Sequence, residues 1–398
     1  PNSMIFGVYL NLVLSNLQME QMTFTSYAVI LRSSTFDYNN ISLTNVNGTE
    51  QSSTECFFEI TESTGKVHVK LLDTIAFGNL ICLKQGATCT IENLNIIATP
   101  DKNKYKFLTS DKSKLIVKNS KFYNFNETIF DLGSSSMIFD GAGFDSQTLT
   151  ISPVANLKDS NQVIISSSTF KVRNLVIFYL YSTDYFKIEN SNFIGTSSSF
   201  SIFEIQYCTS FNIFKSSITN YTYLAPENYS IKALMYTSDI STSYIESLNV
   251  TGNQITAVPI IHQRNSKNMT FNNSNFQSNI LTKTDGSQGV SCIKVECNGA
   301  VCLTHNITNS RFVMNSAAAS FPVFISDHPM NMDSVTFKEN IGFSPDFPIL
   351  RLIPDNIVFN LNQESIIASG LANNIEIWIV DKDLNKNETF DSYSSATI

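Results

Sequence analysis

The chain writes "IENSNF" at residues 188–193 and a near copy, "FNNSNF", at 271–276. Related phrases are "VKNSKF" (117–122), "ITNSRF" (307–312), "ISSSTF" (165–170) and "LRSSTF" (31–36). The shared form is apolar, polar, Asn or Ser, Ser, polar, Phe. Strand side chains alternate between faces, so positions 4 and 6 share one face and position 5 takes the other. Position 1 is apolar as well, five residues before the Phe, which breaks that parity. A corner at position 3 restores it. Asn and Ser suit such a corner because their short side chains bond local backbone and Asn tolerates the left-handed region. The phrase reads as strand, bend, strand.

A second corner follows the Phe, marked by Asn three residues on in "FQSN" (276–279), "FVMN" (312–315), "FKEN" (337–340) and, with Val leading, "VTGN" (250–253). The sixth positions fall at Phe170, Phe193, Ile218, Val250, Phe276, Phe312 and Phe337, giving steps of 23, 25, 32, 26, 36 and 25. A unit near 25 residues with insertions is a repeat signature. The leucine-rich pattern is missing, and so is the 3.6-residue period that helical repeats need. The spacing predicts an all-β chain: a single right-handed parallel β-helix over 1–398, right-handed by the crossover preference of parallel strands. About fifteen coils of roughly 22–26 residues, rising about 4.8 Å each, give a rod on the order of 70–80 Å. Phe170, Phe193, Phe276, Phe312 and Phe337 are expected inside, mostly in one stack. Insertions are expected near 47–66, 99–113, 222–231 and 282–303.

Composition agrees. Of 398 residues, 85 are Ser or Thr and 43 are Asn, while charged residues make up 15 %. Polarity is thus carried by turn- and ladder-forming side chains. A net charge of −8 with five Arg excludes a nucleic-acid footprint. No apolar run reaches the length of a membrane span; "LVIFYLY" (175–181) is strand-sized. The chain opens at Pro1 and reads as a segment of a longer or processed polypeptide.

The Ser-x-Phe strand followed by Phe-x-x-Asn resembles the repeats of polymorphic outer-membrane-protein-like, pectate-lyase-type β-helix proteins, which occur on bacterial and protist surfaces. Of that family's Gly-Gly-Ala-Ile motif only "GATC" (86–89) and "GAVC" (299–302) are echoes. The resemblance implies a surface, adhesive or structural role, and fold by itself assigns no chemistry.

Many β-helices process polysaccharides, which takes two or three carboxylates held together. Here Asp and Glu are scattered, no Asp-Asp pair exists, and His68, His262, His305 and His328 share no motif. The loop "FDGAGFD" (139–145), carrying Asp140 and Asp145, reads as a glycine turn. No catalytic residue and no cofactor is assigned. Asp381, Asp383, Asn385 and Asn387 alternate like calcium ligands, but Lys386 stands where the loop needs Gly and Ser392 where it needs Glu, so a solvated loop is the reading.

"CLKQGATC" (82–89) and "CIKVECNGAVC" (292–302) each bracket a turn with cysteines. They predict disulfides Cys82–Cys89 and Cys292–Cys302, with Cys297–Cys302 across "NGAV" as the competing pair and buried thiols or zinc as other readings. Disulfides imply an oxidising, extracellular compartment. The ten Asn-x-Ser/Thr sequons are no more than chance supplies, yet their placement is informative. Asn249 and Asn272 fall at outward positions and are expected to carry N-linked glycan, with Asn268, Asn306, Asn220 and Asn126 as further acceptors.

The chain therefore reads as a non-enzymatic, extracellular structural or adhesive rod. The alternative is a carbohydrate-active β-helix enzyme or a glycan-binding module. A β-helix must close its terminal coils. Residues 4–14 ("MIFGVYLNLVL") and 375–380 ("IEIWIV") both look ready to continue. The expected partner is further coils of the same polypeptide or a second copy stacked end to end, with 4–14 as the N-terminal contact.

Overall fold

The computed structural model describes residues 5–16, 18–20, 23–24, 29–48, 56–75, 79–97, 106–125, 128–150, 152–174, 176–195, 201–223, 232–282, 290–297, 302–303, 305–318, 323–326, 330–338, 340–342, 350–352, 358–361, 377–380 and 386–390. Every regular element among them is a β-strand. The chain divides into two compact units, Pro1–Phe186 and Lys187–Ile398, and each is a parallel β-solenoid.

In the first unit one ladder runs Ile5–Val8, Val29–Arg32, Cys56–Thr61, Asn79–Lys84, Lys106–Asp111, Phe130–Gly133 and Ala155–Ser166, each strand parallel to the next. Across a corner lies a second ladder, which includes Thr88–Glu92, Lys114–Lys118 and Ser136–Asp140. Across another corner lies the Phe ladder: Asn95–Ile97, Lys121–Tyr123, Gly143–Thr150 and Thr169–Asn174. Phe122, Phe144 and Phe170 stack there face to face, with 4.9 Å between successive ring centroids.

The second unit repeats the plan. Its first ladder holds Ser201–Phe214, Met235–Ser238, Ile261–Arg264, Ile293–Glu296, Phe324–Ser326, Leu350–Leu352 and Ile377–Val380. Its Phe ladder places Phe193, Ile218, Val250, Phe276, Phe312 and Phe337 in one register row. Phe193, Phe276 and Phe312 are buried there, as Phe170 is in the first unit. Ile218 and Val250 interrupt the aromatic column, and Phe276 stacks on Phe312 at 4.9 Å. The side chain of Phe337 lies outside what is described.

The corners work as the phrase demands. Its third position has positive φ at Asn93, Asn119, Ser167, Asn190, Lys215, Ser247, Asn273, Asn309 and Ser334. The serine after it is buried at Ser120, Ser168, Ser191, Ser216, Ser274 and Ser310. Its hydroxyl donates to the carbonyl two residues back, as Ser274 does to Asn272 O at 3.2 Å. It also accepts a backbone N–H from the preceding coil, as Ser310 does from Ser274 N at 3.1 Å. "LRSSTF" belongs to the other corner: Phe36 pairs in register with Gly65, in the ladder that continues through Cys89 and Leu115. Both corners use a left-handed residue, often followed by a small hydroxyl, so one phrase serves two places.

In the second unit the asparagines three residues after Val250, Phe276, Phe312 and Phe337 form a ladder. Asn253 Nδ2 donates to Asn279 Oδ1 (2.8 Å), Asn279 Nδ2 to Asn315 Oδ1 (2.8 Å) and Asn315 Nδ2 to Asn340 Oδ1 (3.0 Å). Each amide also accepts a backbone N–H from the preceding coil and donates to a carbonyl beside the Phe row. A further short ladder follows, from Thr222–Tyr223 to Ile341–Gly342.

Coils that carry the Phe strand are fewer than the fifteen expected: four in the first unit and six in the second, among the described residues. Toward the N-terminus, Thr35–Gly48 and Thr64–Ile75 run as single long strands with no separate Phe strand. Strands Cys56–Thr61 and Lys106–Asp111 lie within two of the stretches expected as insertions. Residues 224–231 and 283–289, in the other two, lie outside the described residues. At the C-terminal end Lys386–Phe390 folds back antiparallel onto Ile377–Val380. That pairing covers one edge of Ile377–Val380, a strand that the sequence reads as ready to continue.

Candidate functional site

Outward positions on a solenoid need only be polar. One outward row of the second unit is richer. Strand register aligns Glu204, Tyr236, His262 and Lys294 on four successive coils. Two residues on, the parallel row is Gln206, Ser238, Arg264 and Glu296.

Contacts run along these rows without a break. Lys232 Nζ lies 2.8 Å from Glu204 Oε1, which also accepts from Gln206 Nε2 at 2.9 Å. The same ammonium sits 4.4 Å from the centre of the Tyr236 ring. Tyr236 meets the His262 ring edge to face at 5.3 Å. His262 Nε2 lies 3.1 Å from Glu296 Oε2, and Lys294 Nζ pairs with Glu296 Oε1. The His262 side chain foremost, with Lys294 beside it, holds the Glu296 carboxyl down to about 2 from 4.5, against the opposing effect of burial.

Tyr236, His262 and Lys294 are each less than a tenth exposed although they point outward. Burying charges in this way seldom adds net stability over apolar packing. An imidazole gripped by a carboxylate, beside a phenol and an ammonium, can position a polar ligand or exchange protons with it.

Reading the residues did not bring this row together. A signal existed: Glu204, Tyr236 and His262 each lie fourteen residues before the sixth position of their coil, at Ile218, Val250 and Phe276. Lys294 lies eighteen before Phe312, displaced by an insertion.

Two disulfides differ from those expected. Cys56 bonds Cys82, on the neighbouring coil, and Cys297 bonds Cys302, the competing pair. Cys82 and Cys89 cannot meet, because the corner at Gln85–Gly86 separates their strands and Cys89 points into the core between Gly65 and Leu115. Cys292 is likewise a core residue one position before its strand. Both thiols are pushed up by burial, Cys89 to about 12. Cys89, Cys208 and Cys292 are not disulfide-bonded.

Among the expected glycan acceptors, Asn249 and Asn268 are exposed, and Asn272 and Asn306 half-exposed. Asn249 Oδ1 accepts from Thr251 Oγ1, its own sequon hydroxyl, at 2.9 Å. Asn272 Oδ1 accepts from Thr308 Oγ1 at 3.0 Å. Asn220 occupies a corner with φ 58°. Asn126 lies outside the described residues, as do Asp381, Asp383 and Asn385 of the calcium-like run. Asn387 is in the strand Lys386–Phe390. Among the described residues no three His, Cys, Asp or Glu side chains are grouped to hold a metal. No helix there is long and apolar enough to cross a membrane. Asp140 and Asp145 flank a turn at Gly141, φ 68°, as the sequence suggests.

The architecture defines a class, the parallel β-solenoids. Beyond it, no family model and no curated protein matches the chain. Among solved structures it is similar to the periplasmic alginate epimerase AlgG, at 10% identity and a TM-score of 0.32, covering 83% of this chain and 78% of that one. It is also similar to tailspike protein 3 of bacteriophage CBA120, at 11% identity and a TM-score of 0.26, covering 92% of this chain and 58% of that one.

Proposed function

We propose that the chain is an extracellular, non-enzymatic structural or adhesive surface protein, glycosylated on its outward faces. The observation that carries this reading is the use of its side chains. Inward positions are spent on Phe, Ser and Asn ladders, while sequon asparagines such as Asn249 and Asn268 face solvent on regular strands. The two disulfides support an oxidising compartment. The resemblance to polymorphic outer-membrane-protein-like repeats agrees with a surface role.

The open edge supports contact with more protein. Among the described residues Ile5–Val8 pairs on one side only, with Val29–Arg32. Phe6, Tyr9, Leu10 and Val13 beside it are exposed. Such an edge is a template for another strand, from further coils or a second copy.

The test is surface labelling of intact source cells with a membrane-impermeant reagent. Labelling without permeabilisation is expected; labelling only after permeabilisation overturns the reading.

The outward row through His262 favours a second reading, a glycan-binding surface. Its mixture of charged and polar side chains suits sugar hydroxyls, and its repeat follows the coil spacing. Titration with a panel of oligosaccharides tests it. Binding weakened tenfold or more by Arg264→Gln and Glu296→Gln is the expected result, and no binding at millimolar concentration removes this reading.

A further inference from the structure

We infer a buried hydration site inside the second unit, at the corner following Ile261–Arg264. Gln263 is fully buried and points inward, where apolar side chains hold the equivalent positions Ile205 and Val295. Its Nε2 donates to Ser243 Oγ at 2.9 Å, but its Oε1 has no hydrogen-bond partner. Its register neighbour Thr237, also inward and buried, has a hydroxyl with no partner. Round the corner at Asn265, Ser266 is buried with a third unpartnered hydroxyl.

In the first unit the serines at this corner are satisfied by backbone: Ser135 Oγ donates to Gly133 O at 2.7 Å and accepts from Ser113 N at 3.1 Å. In the second unit the places preceding Ser266 belong to Cys208 and Ile240, each following a positive-φ residue (Tyr207, Asp239) as Ser266 follows Asn265. Ser266 Oγ makes neither of these backbone bonds.

Each buried polar group left without a partner is destabilising, and native interiors resolve such groups with ordered water. One carbonyl-type acceptor and two hydroxyls that can donate or accept supply the two to four partners that a water needs. The ligand is therefore a single long-lived water, donating to Gln263 Oε1 and bonded to Thr237 Oγ1, with Ser266 Oγ as third partner. It completes a polar bridge from Ser243 through Gln263 into the corner.

The experiment is magnetic relaxation dispersion of water on the full chain, which counts long-lived internal waters, together with a crystal structure that resolves ordered solvent. The wild type should show solvent density within hydrogen-bond reach of Gln263 Oε1. Gln263→Met should lose one long-lived water from the count. Thr237→Val, a smaller change that keeps the core shape, should shorten its residence time or lose it. A direct Gln263–Thr237 hydrogen bond with no density, or an unchanged count in both variants, overturns the inference.

Discussion

Asn279 and Asn315 lie on neighbouring coils, joined by a 2.8 Å hydrogen bond from Nδ2 of the first to Oδ1 of the second. Asn279 also accepts from Asn253 Nδ2 and donates to Val250 O, so one side chain satisfies three coils. Asn279→Ala leaves several buried groups unpaired, at about 1–3 kcal/mol each. A loss of about 3 kcal/mol or more in chemical denaturation is expected. Loss below about 1 kcal/mol would mean the ladder is not formed.

Phe276 stacks on Phe312 with both rings fully buried. Phe276→Ala should cost about 3–5 kcal/mol, through lost transfer energy and the cavity left behind. Phe276→Leu should cost much less, since Ile218 and Val250 already hold equivalent places in the row. Equal effects of the two substitutions would contradict the stacked interior.

Gly65 faces the Phe36 side chain in register. A Cβ on Gly65 would stand 2.0 Å from Phe36 O and 2.5 Å from its ring, so backbone must shift to admit it. Gly65→Ala is expected to lower the unfolding midpoint although alanine normally favours regular structure over glycine. A stabilised variant would show that this approach is not made.

The low carboxyl value of Glu296 has a pH signature. Because the folded value, about 2, lies below the ordinary 4.5, its contribution is fully present above pH 4.5 and is lost as pH falls through about 2. Glu296→Gln should therefore flatten the decline in stability between about pH 4.5 and 2. An acid limb of unchanged slope in that variant would show that His262 and Lys294 do not grip the carboxylate.

How much of this was legible in the residues follows from where each signal sits. The Phe-x-x-Asn phrase announces ladder and corner together because both lie within one short stretch of chain. Position 3 of the phrase could be read as left-handed from Asn and Ser alone. The Cys56–Cys82 bridge could not, because it joins neighbouring coils and depends on register across 26 residues. The row through His262 needed the coils aligned strand by strand, and the insertion before Phe312 hides Lys294 from a fixed period. The figure of fifteen coils spreads one period over the whole chain, whereas Thr35–Gly48 and Thr64–Ile75 run as single long strands.

A non-reducing peptide map of the protein from its native source tests the account most directly. It should show Cys56 linked to Cys82, Cys297 linked to Cys302, and glycan on Asn249 and Asn272. Cys89, Cys208 and Cys292 should label as thiols only after unfolding, since all three are buried. Removing the first bridge should then cost about 3–4 kcal/mol on the chain-entropy scale. Seven free cysteines with both asparagines unmodified would contradict the extracellular reading.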